Sequence, residues 1–227
     1  MGIYCWETHV HTAEISPCGQ VAAADVAQNY IDNGYAGLVV TNHLSDYGFS
    51  YVRDRSWEEK VNWFYEGYEM VRDAAGDRLT VLFGAEINFR GDPNDYLVYG
   101  ITKEFLLAHP ELLDMRIGDF SRLARENGML LIQAHPFRNG MRVVPPDQLD
   151  GIEAYNGNMR HDSRNFLAAQ WAARYGLLVT SGSDFHELED TARGGFFTGH
   201  DIHTIEDFMA ALKDRPVLKT SAERFGL

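Results

Sequence analysis

The sequence predicts an α/β fold in which short strands alternate with helices. Seven short apolar runs predict the strands, and five stretches with apolar residues at helical spacing predict the helices. The candidate strands are Tyr4–Val10, Gly37–Thr41, Leu79–Glu86, Tyr96–Ile101, Met129–Ala134, Gly151–Tyr155 and Leu177–Ser181. The candidate helices are Ala22–Asn33, Trp57–Ala74, Ile117–Glu126, Asp162–Arg174 and Ile205–Lys213. This alternation predicts parallel strands joined by helical crossovers, which form either a closed barrel or an open sheet.

Local signals mark the ends of several of these helices. Ser56 and Glu59 have the spacing of a capping box, in which both side chains bind free backbone N–H groups at a helix start. Gly34 and Gly128 stand where a residue with left-handed backbone would end the preceding helix. The pattern therefore predicts helix boundaries as well as helices.

Composition predicts one globular domain over residues 1–227. Hydrophobic residues make up 45% and charged residues 23%, which is ordinary for a globular protein with a substantial core. The formal net charge of −13 argues against a long nucleic acid or an acidic membrane as a partner. It leaves room for a small anionic substrate, because metal ions in a pocket can reverse the local field.

The cysteine content and the apolar runs predict a compartment. Cys5 and Cys18 are the two cysteines, so a disulfide framework is not expected. Apolar runs fall short of the roughly 18 residues that cross a bilayer. The first residues lack the basic region and the apolar core of a signal peptide. A cytoplasmic location is the expectation.

Imidazoles and carboxylates gather at the ends of the predicted strands. The residues that end or follow a strand are His9, His11, His43, Glu86, His135, Asp184 and His186. Parallel barrels build their active sites at the carboxyl ends of their strands, so this distribution favours a barrel. Asp95 lies instead at the start of Tyr96–Ile101, which an antiparallel or displaced strand would explain.

The spacing within two of these groups predicts chelation. Residues two apart in extended chain point to the same side, so His9 and His11 can bind one centre, as can Asp184 and His186. Imidazole nitrogen combined with carboxylate oxygen suits zinc, manganese or iron. The sequence therefore predicts a metal site. The remaining histidines are interpreted as surface or capping residues: His109, His161, His200 and His203.

Five short motifs occur in order along the chain. They are Glu7-Thr8-His9-Val10-His11-Thr12, Thr41-Asn42-His43, Gly84-Ala85-Glu86, Ala134-His135-Pro136 and Gly182-Ser183-Asp184-Phe185-His186. This series resembles the PHP family, which is named for its occurrence with polymerases and in histidinol phosphatases. The resemblance covers nearly the whole chain. It implies a distorted seven-stranded (β/α) barrel and a metal-dependent phosphoesterase.

The resemblance also implies a cluster of two or three divalent ions, either manganese, iron or zinc. Carried over position by position, the metal ligands would be His9, His11, Glu14, His43, Glu86, Asp95, His135, Asp184 and His186. In this assignment Glu86 bridges two ions, while His43 and His186 bind a third. Asp95 stands where many members have a histidine.

Two further positions depart from the family pattern. Many members have Ser-Asp-Gly shortly after the first motif, where this chain has residues 14–19. Glu14 is the candidate for the missing ligand of the third ion, and Cys18 is the alternative. Asn42 replaces the usual aspartate before His43, which would weaken the outer contacts that orient that ring.

The function implied by the resemblance is hydrolysis of the phosphate monoester of a small metabolite or nucleotide by a metal-bridging hydroxide. Arg138 and Arg193 are candidates to clamp the phosphate, since arginine binds paired oxygens. The segment Tyr47–Arg55 is interpreted either as a lid over the site or as a packed surface loop. The alternative functions are hydrolysis of an amide or lactone, and 3′-exonuclease action on short oligonucleotides.

Overall fold

Seven strands form the wall of a nearly closed barrel. The computed structural model describes residues 2–221, so the domain expected over residues 1–227 reaches past the described part at both ends. The wall consists of β1 (Tyr4–Val10), β2 (Gly37–Val40), β4 (Thr80–Ile87), β5 (Tyr96–Tyr99), β6 (Leu130–Gln133), β7 (Gly151–Asn156) and β8 (Leu178–Gly182), which neighbour one another in this order. The predicted seven-stranded α/β barrel is confirmed.

Three short strands extend this sheet. β3 (His43–Leu44) pairs with β4, whereas β9 (Phe196–Thr198) and β10 (Val217–Leu218) continue the sheet beyond β1. The sequence did not predict them, because two or three residues are too few to show a strand period.

The barrel closes where β1 and β8 end. Val10 forms an isolated parallel bridge with Phe185, just after β8. The backbone N–H of His11 donates to the carbonyl of Phe185 (3.0 Å), and the N–H of Phe185 donates to the carbonyl of His9 (3.2 Å). This seam places the first and the last of the five motifs side by side.

Strand β5 runs antiparallel to both of its neighbours. Tyr96, its first residue, pairs with Ile87 at the end of β4 and with Gln133 at the end of β6. The start of β5 therefore lies at the carboxyl ends of the adjacent strands. Asp95, directly before Tyr96, consequently joins the residues that follow the parallel strands.

The helices pack on the outside of the barrel and at one of its ends. They are α1 (Ala23–Asp32), α2 (Trp57–Ala75), α3 (Lys103–Ala108), α4 (Ile117–Glu126), α5 (Asn165–Tyr175) and α6 (Ile205–Lys213). The short α3 was not predicted. Within residues 2–221, no helix is both long and apolar enough to span a bilayer.

The predicted boundaries hold for most of these helices. The Ser56–Glu59 capping box is present, and Gly34 and Gly128 have positive φ angles of 72° and 70°. The predicted start of α5 at Asp162 is wrong. The Asp162 carboxylate accepts the N–H of Arg164, whose left-handed backbone (φ 49°) delays the helix until Asn165.

Helix α6 covers the end of the barrel away from the strand ends that carry ligands. The ring of Phe208 packs against Trp6 of β1, Tyr99 at the end of the antiparallel β5, and Phe196 of β9, with centroid distances of 5.9, 5.2 and 5.5 Å. Trp6, Tyr99, Phe196 and Phe208 are at most 1% exposed. Apolar packing thus closes one end, and polar residues remain at the other.

Candidate metal centre

The candidate ligands converge at the carboxyl end of the barrel. The end of β1 supplies His9 and His11, β3 supplies His43, β4 supplies Glu86, the residue before β5 is Asp95, and the loops after β6 and β8 supply His135, Asp184 and His186. All of these side chains are buried or half-buried. The parallel strands and the reversed β5 bring together residues from six segments of the chain.

His9 and His11 face each other through their Nε2 atoms, which are 3.1 Å apart. The Nδ1–H of His9 donates to Glu153 Oε1 (2.9 Å), and the Nδ1–H of His11 donates to Ser16 Oγ (3.1 Å). Ser16 Oγ accepts this bond because its own proton is donated to Asn42 Oδ1 (2.8 Å). Both rings therefore direct Nε2 into the cluster, where one cation, a proton or a metal, can lie between them.

Glu86 lies among three imidazoles from three different strand ends. Its carboxylate oxygens are 3.2 Å from Nε2 of His11, 2.9 Å from Nδ1 of His43 and 3.2 Å from Nε2 of His135. The Glu86 side chain is fully buried. A carboxylate in this position can serve more than one ion, which agrees with the bridging role that the family resemblance implies.

The backbone is left-handed at two candidate ligands. His135 has a φ of 30° and Asp184 a φ of 49°. Side chains with Cβ rarely adopt this region, and such residues cluster at functional sites. Glu153 Oε2 accepts the N–H of His135 (3.0 Å), and the Asn158 side chain donates to the carbonyl of Asp184 (3.1 Å). These bonds hold both turns in the conformation that directs their side chains inward.

Charges within the cluster set the pKa values of its acids. Burial alone would raise the pKa of Glu86, but His9 and His43 hold it well below its usual value. Burial is likewise outweighed at Asp184, where His9 and a nearby arginine lower the pKa. At Asp95, burial and then the charge of Glu86 raise the pKa to about 6. All three acids are therefore mainly ionised at neutral pH.

His9 is more basic than His11, the histidine that it faces. Burial opposes its charge, but Glu86, Glu153 and Asp184 raise the pKa of His9 well above its usual value. Burial, followed by two neighbouring imidazoles, lowers the pKa of His11 well below its usual value. These opposite shifts favour a proton on His9 over one on His11, in the place where a divalent ion fits.

The donor set fits divalent metal ions. Three groups each offer ligand atoms within 4.8 Å of one another: His9 with His11 and Glu86, Glu86 with Asp95 and His135, and His11 with His43 and His186. Nitrogen and oxygen donors in such groups suit zinc, iron and manganese. Within residues 2–221, the buried Nδ1 of His135 has no hydrogen-bond partner, which is unusual for a buried polar atom.

The fold is similar to several solved structures. A two-domain protein from Bacteroides vulgatus, described as containing a predicted PHP-like metal-dependent phosphoesterase, has a TM-score of 0.68 and 17% identity over 96% of this chain. PsfC from Pseudomonas syringae has a TM-score of 0.69 and 17% identity over 98% of this chain and 93% of its own. The lesion-specific endonuclease PfuEndoQ from Pyrococcus furiosus has a TM-score of 0.68 and 15% identity over 99% of this chain.

A sequence family matches the last part of the barrel. Residues 162–217, which include β8 and the loop with Asp184 and His186, match the family described as PHP-associated. The fold is thus similar to that of PHP-like structures, and this segment resembles the PHP-associated family. It spans 65% of the Bacteroides protein and 60% of the endonuclease. No curated protein sequence matches it.

Glu14 does not join the ligand cluster, so its predicted role as a metal ligand is wrong. Both of its carboxylate oxygens accept the backbone N–H of Ala23 (2.9 and 3.1 Å), so Glu14 caps α1. Cys18, the alternative candidate, lies beside the cluster, with Sγ 3.1 Å from Nε2 of His186. Burial would raise the pKa of Cys18, but hydrogen bonds with His186 and His43 lower it to about 6.

The two candidate arginines have different positions. Nη2 of Arg138 donates to Asp184 Oδ2 (2.7 Å) and to Asn156 Oδ1 (3.0 Å), which places its guanidinium beside the cluster. Arg193 instead donates through Nε to the carbonyl of Gly157 (2.8 Å), and it lies outside the cleft over the cluster. The structure thus places Arg138 at the site and gives Arg193 a contact with the loop that follows β7.

A cleft of about 380 Å³ opens onto the cluster and adds residues that were not predicted as part of the site. Asn158, Arg160 and His161 line it together with the candidate ligands. Arg160 is fixed by two bonds to the buried Asp190 (3.0 and 2.7 Å). Burial and the charge of Arg138 lower the pKa of His161. His161 is exposed, as expected, and in addition it borders the site.

The other three histidines agree with their interpretation as surface or capping residues. The Nδ1–H of His109 donates to the carbonyl of Phe105 (2.8 Å) at the end of α3. His200 and His203 are exposed and pair with aspartates at 2.9 and 3.1 Å. None of them contributes to the three ligand groups found within residues 2–221.

Two fully buried glutamates, Glu153 and Glu7, hydrogen-bond candidate ligands or the backbone beside them. They were not predicted as functional residues. Glu153 of β7 accepts the Nδ1–H of His9 and the backbone N–H of His135. Glu7 of β1 accepts N–H groups of Thr8, His9 and Ser183. An acidic residue inside a predicted strand was the available signal for both, because such a charge must be paired when it is buried.

The segment Tyr47–Arg55 is a packed surface loop. Phe49 and Val52 are buried at 3% and 4% exposure, and they belong to the hydrophobic core around α2. Tyr47 remains 55% exposed, with its ring 6.0 Å from that of His43. The buried side chains anchor the loop, so the lid interpretation is not supported by its packing.

Proposed function

We propose that this PHP-type protein is a metal-dependent phosphoesterase that hydrolyses the phosphate monoester of a small metabolite or nucleotide. The observation that carries the proposal is Glu86, a buried carboxylate that lies within 3.2 Å of imidazoles from three strand ends. Burying such a group is costly unless cations compensate it. Two or three divalent ions would supply that compensation.

The candidate ligands divide into three sets, of which the first two share Glu86. His9, His11, Glu86 and Asp184 would hold one ion. Glu86, Asp95 and His135 would hold a second. His43 and His186 would contribute to a third. The chemistry that such ions supply is the activation of water at neutral pH and the neutralisation of phosphoryl charge.

The chain's own cationic groups are placed to bind phosphate. Arg138 is 14% exposed and borders the cleft, and within residues 2–221 its Nε has no hydrogen-bond acceptor. Arg160 lies in the same cleft, oriented by Asp190. Guanidinium groups bind phosphate oxygens through charge-assisted hydrogen bonds. Together they would orient the substrate above the ligands.

The charge of the whole protein favours a small substrate. The formal net charge is −13, so a long polyanion would be repelled beyond the immediate cleft. The cleft of about 380 Å³ has the size of a small-molecule site. Action on a metabolite or a mononucleotide is therefore favoured over action on long nucleic acid.

The proposal is tested by elemental analysis of the purified protein, followed by phosphate release from a panel of phosphorylated metabolites with manganese, iron or zinc. The panel also contains amides, lactones and short oligonucleotides, which represent the alternative functions. Release of phosphate from monoesters alone is the expected result. Turnover confined to another class would overturn the assignment of the bond.

A paired variant tests the site itself. His9→Ala with His11→Ala should abolish turnover and lower bound metal, because both Nε2 atoms face the cluster. His200→Ala with His203→Ala is the matched control, since these histidines are exposed on the surface. Normal turnover and normal metal content in the first double variant would refute the proposed centre.

A further inference from the structure

Cys18 lies on a short loop between β1 and α1 whose shape is tightly determined. The N–H of Gly19 donates to the carbonyl of Ser16 (2.8 Å), and the N–H of Ala13 donates to the carbonyl of Val21 (2.9 Å). A Cβ at position 19 would lie 2.8 Å from the carbonyl oxygen of Thr12, so the loop passes where only glycine fits. The thiol therefore has a fixed direction.

The same loop is tied to the ligands by Ser16. Its Oγ accepts the Nδ1–H of His11 (3.1 Å) and the backbone N–H of His43 (3.1 Å), and it donates to Asn42 (2.8 Å). The loop that carries Cys18 is thus built into the support of two candidate ligands. Asn42 contributes here by orienting Ser16.

The sulfur of Cys18 faces a ring nitrogen of His186. Nδ1 of His186 lies 2.8 Å from the carbonyl oxygen of Asp184, and a carbonyl only accepts, so the ring proton is on Nδ1. Nε2, the other ring nitrogen of His186, lies 3.1 Å from Sγ of Cys18, so one cation, a proton or a metal, can lie between them. The Cys18 side chain also borders the cleft.

We propose that Cys18 is a thiolate ligand of the ion held by His43 and His186, and that it makes this position selective for zinc or iron over manganese. The inference rests on the metal-binding part of the proposed function. Thiolate is a soft donor that manganese accepts poorly, whereas zinc and iron bind it well. A metal ion at this position would replace the proton held between Sγ of Cys18 and Nε2 of His186, and that proton would leave to solvent.

The loop between β1 and α1 offers the third ion a thiol rather than a carboxylate. The carboxylate of Glu14, the acid on this loop, accepts the backbone N–H of Ala23 at the start of α1. It is therefore not available to the ion. Sγ of Cys18, on the same loop, lies instead 3.1 Å from Nε2 of His186. The third ion would then have a nitrogen and sulfur environment, while the other ions keep nitrogen and oxygen donors.

The first test is cobalt substitution of the metal-free protein, with cobalt as a coloured substitute for zinc. A thiolate-to-cobalt charge-transfer band should appear in the near-ultraviolet spectrum. Cys18→Ser should remove this band and lower bound zinc by about one equivalent. Cys5→Ser is the matched control, because Cys5 is 9% exposed in β1 and lies outside the cleft. It should keep both the band and the zinc.

The second test needs no variant. Iodoacetamide is added to the wild-type protein with and without zinc, and alkylation of each cysteine is followed by peptide mass spectrometry. Zinc should protect Cys18 at least about tenfold, and manganese should protect it much less. Cys5 should react slowly in every sample, because burial raises its pKa to about 11.

The outcomes separate this inference from the proposed function. If the wild type binds zinc but shows no thiolate band, and if zinc leaves Cys18 alkylation unchanged, Cys18 is an ordinary thiol and the inference is overturned. Absence of any metal binding would overturn the metal centre as a whole. A band that persists in Cys18→Ser would also count against Cys18 as the ligand.

Discussion

Oε1 of Glu153 lies 2.9 Å from Nδ1 of His9, and both side chains are fully buried although 144 positions separate them in the chain. Glu153 also accepts the backbone N–H of His135 through its other oxygen. One carboxylate of β7 thereby orients a ligand of β1 and supports the strained turn after β6. Outer contacts of this kind fix the ring of a metal-binding histidine and increase its basicity.

Replacing this carboxylate should weaken metal binding without removing a ligand. We expect Glu153→Gln to lower metal affinity by about 10–100-fold, because His9 loses the charged acceptor of its Nδ1–H. Competition with a chelating dye measures the affinity. Glu189→Gln, at an exposed position, is the control and should bind metal normally. Equal affinities in the two variants would show that Glu153 has no part in orienting His9.

Arg138 should contribute to phosphate binding. Arg138→Lys keeps the charge but loses the planar fork, and we expect kcat/KM to fall about 10–100-fold and the inhibition constant of inorganic phosphate to rise about tenfold. Steady-state kinetics with phosphate as inhibitor measures both. Arg122→Lys is the control, since Arg122 is 74% exposed and pairs with Asp119. Because Arg138 also contacts Asp184, unchanged metal content must accompany the loss.

The raised pKa of Asp95 should be visible in the stability of the metal-free protein. The folded state shifts this pKa from 3.8 to about 6, so folding favours the protonated acid. Its contribution to stability is therefore greatest below pH 4 and is lost as the pH rises through 6. At pH 8, we expect Asp95→Asn to raise the free energy of unfolding by on the order of 2 kcal/mol.

The size of this effect should depend on pH, and its sign should depend on whether metal is bound. At pH 5 the advantage of Asp95→Asn should be about 1 kcal/mol smaller than at pH 8, because the wild-type acid is then largely protonated in the folded state. Urea unfolding of chelator-treated protein measures the difference. With metal bound, the same variant should be less stable than the wild type, since a ligand is lost. A constant advantage at both pH values would contradict the assigned cause.

The close packing behind the cluster should not tolerate an added methyl group. A Cβ at Gly182 of β8 would lie 2.5 Å from Cβ of His9 and 2.7 Å from Glu153 Oε1. We expect Gly182→Ala to lower the free energy of unfolding by about 1–3 kcal/mol and to reduce metal binding, because His9 must move. Urea unfolding with metal analysis provides both readouts.

Gly118 provides the matched control for this substitution. It lies in α4, and the nearest atom to an added Cβ, on Gln148, is 3.6 Å away. Gly118→Ala should raise the free energy of unfolding by about 0.5–1 kcal/mol, since alanine favours helix. If both alanine variants had the same effect, close contact at Gly182 would not be the cause.

Much of the fold could be predicted because its signals are periodic and local. The strand Tyr4–Val10 and the helices Ile117–Glu126 and Ile205–Lys213 have the predicted bounds. The two-residue spacing of His9 and His11 was enough to place them on one side of a strand. The short β3, β9 and β10 could not be predicted, since their pairing depends on neighbours far along the chain.

The sequence alone determined the order of strands and helices and the types of side chain at the strand ends, because periodicity and residue chemistry are properties of the chain itself. The tertiary structure decided which of these side chains meet. It reversed β5 so that Asp95 joins the cluster, used Glu14 to cap α1, and directed Cys18 to His186. These outcomes depend on loop shape and on hydrogen bonds between distant segments, which no local pattern encodes.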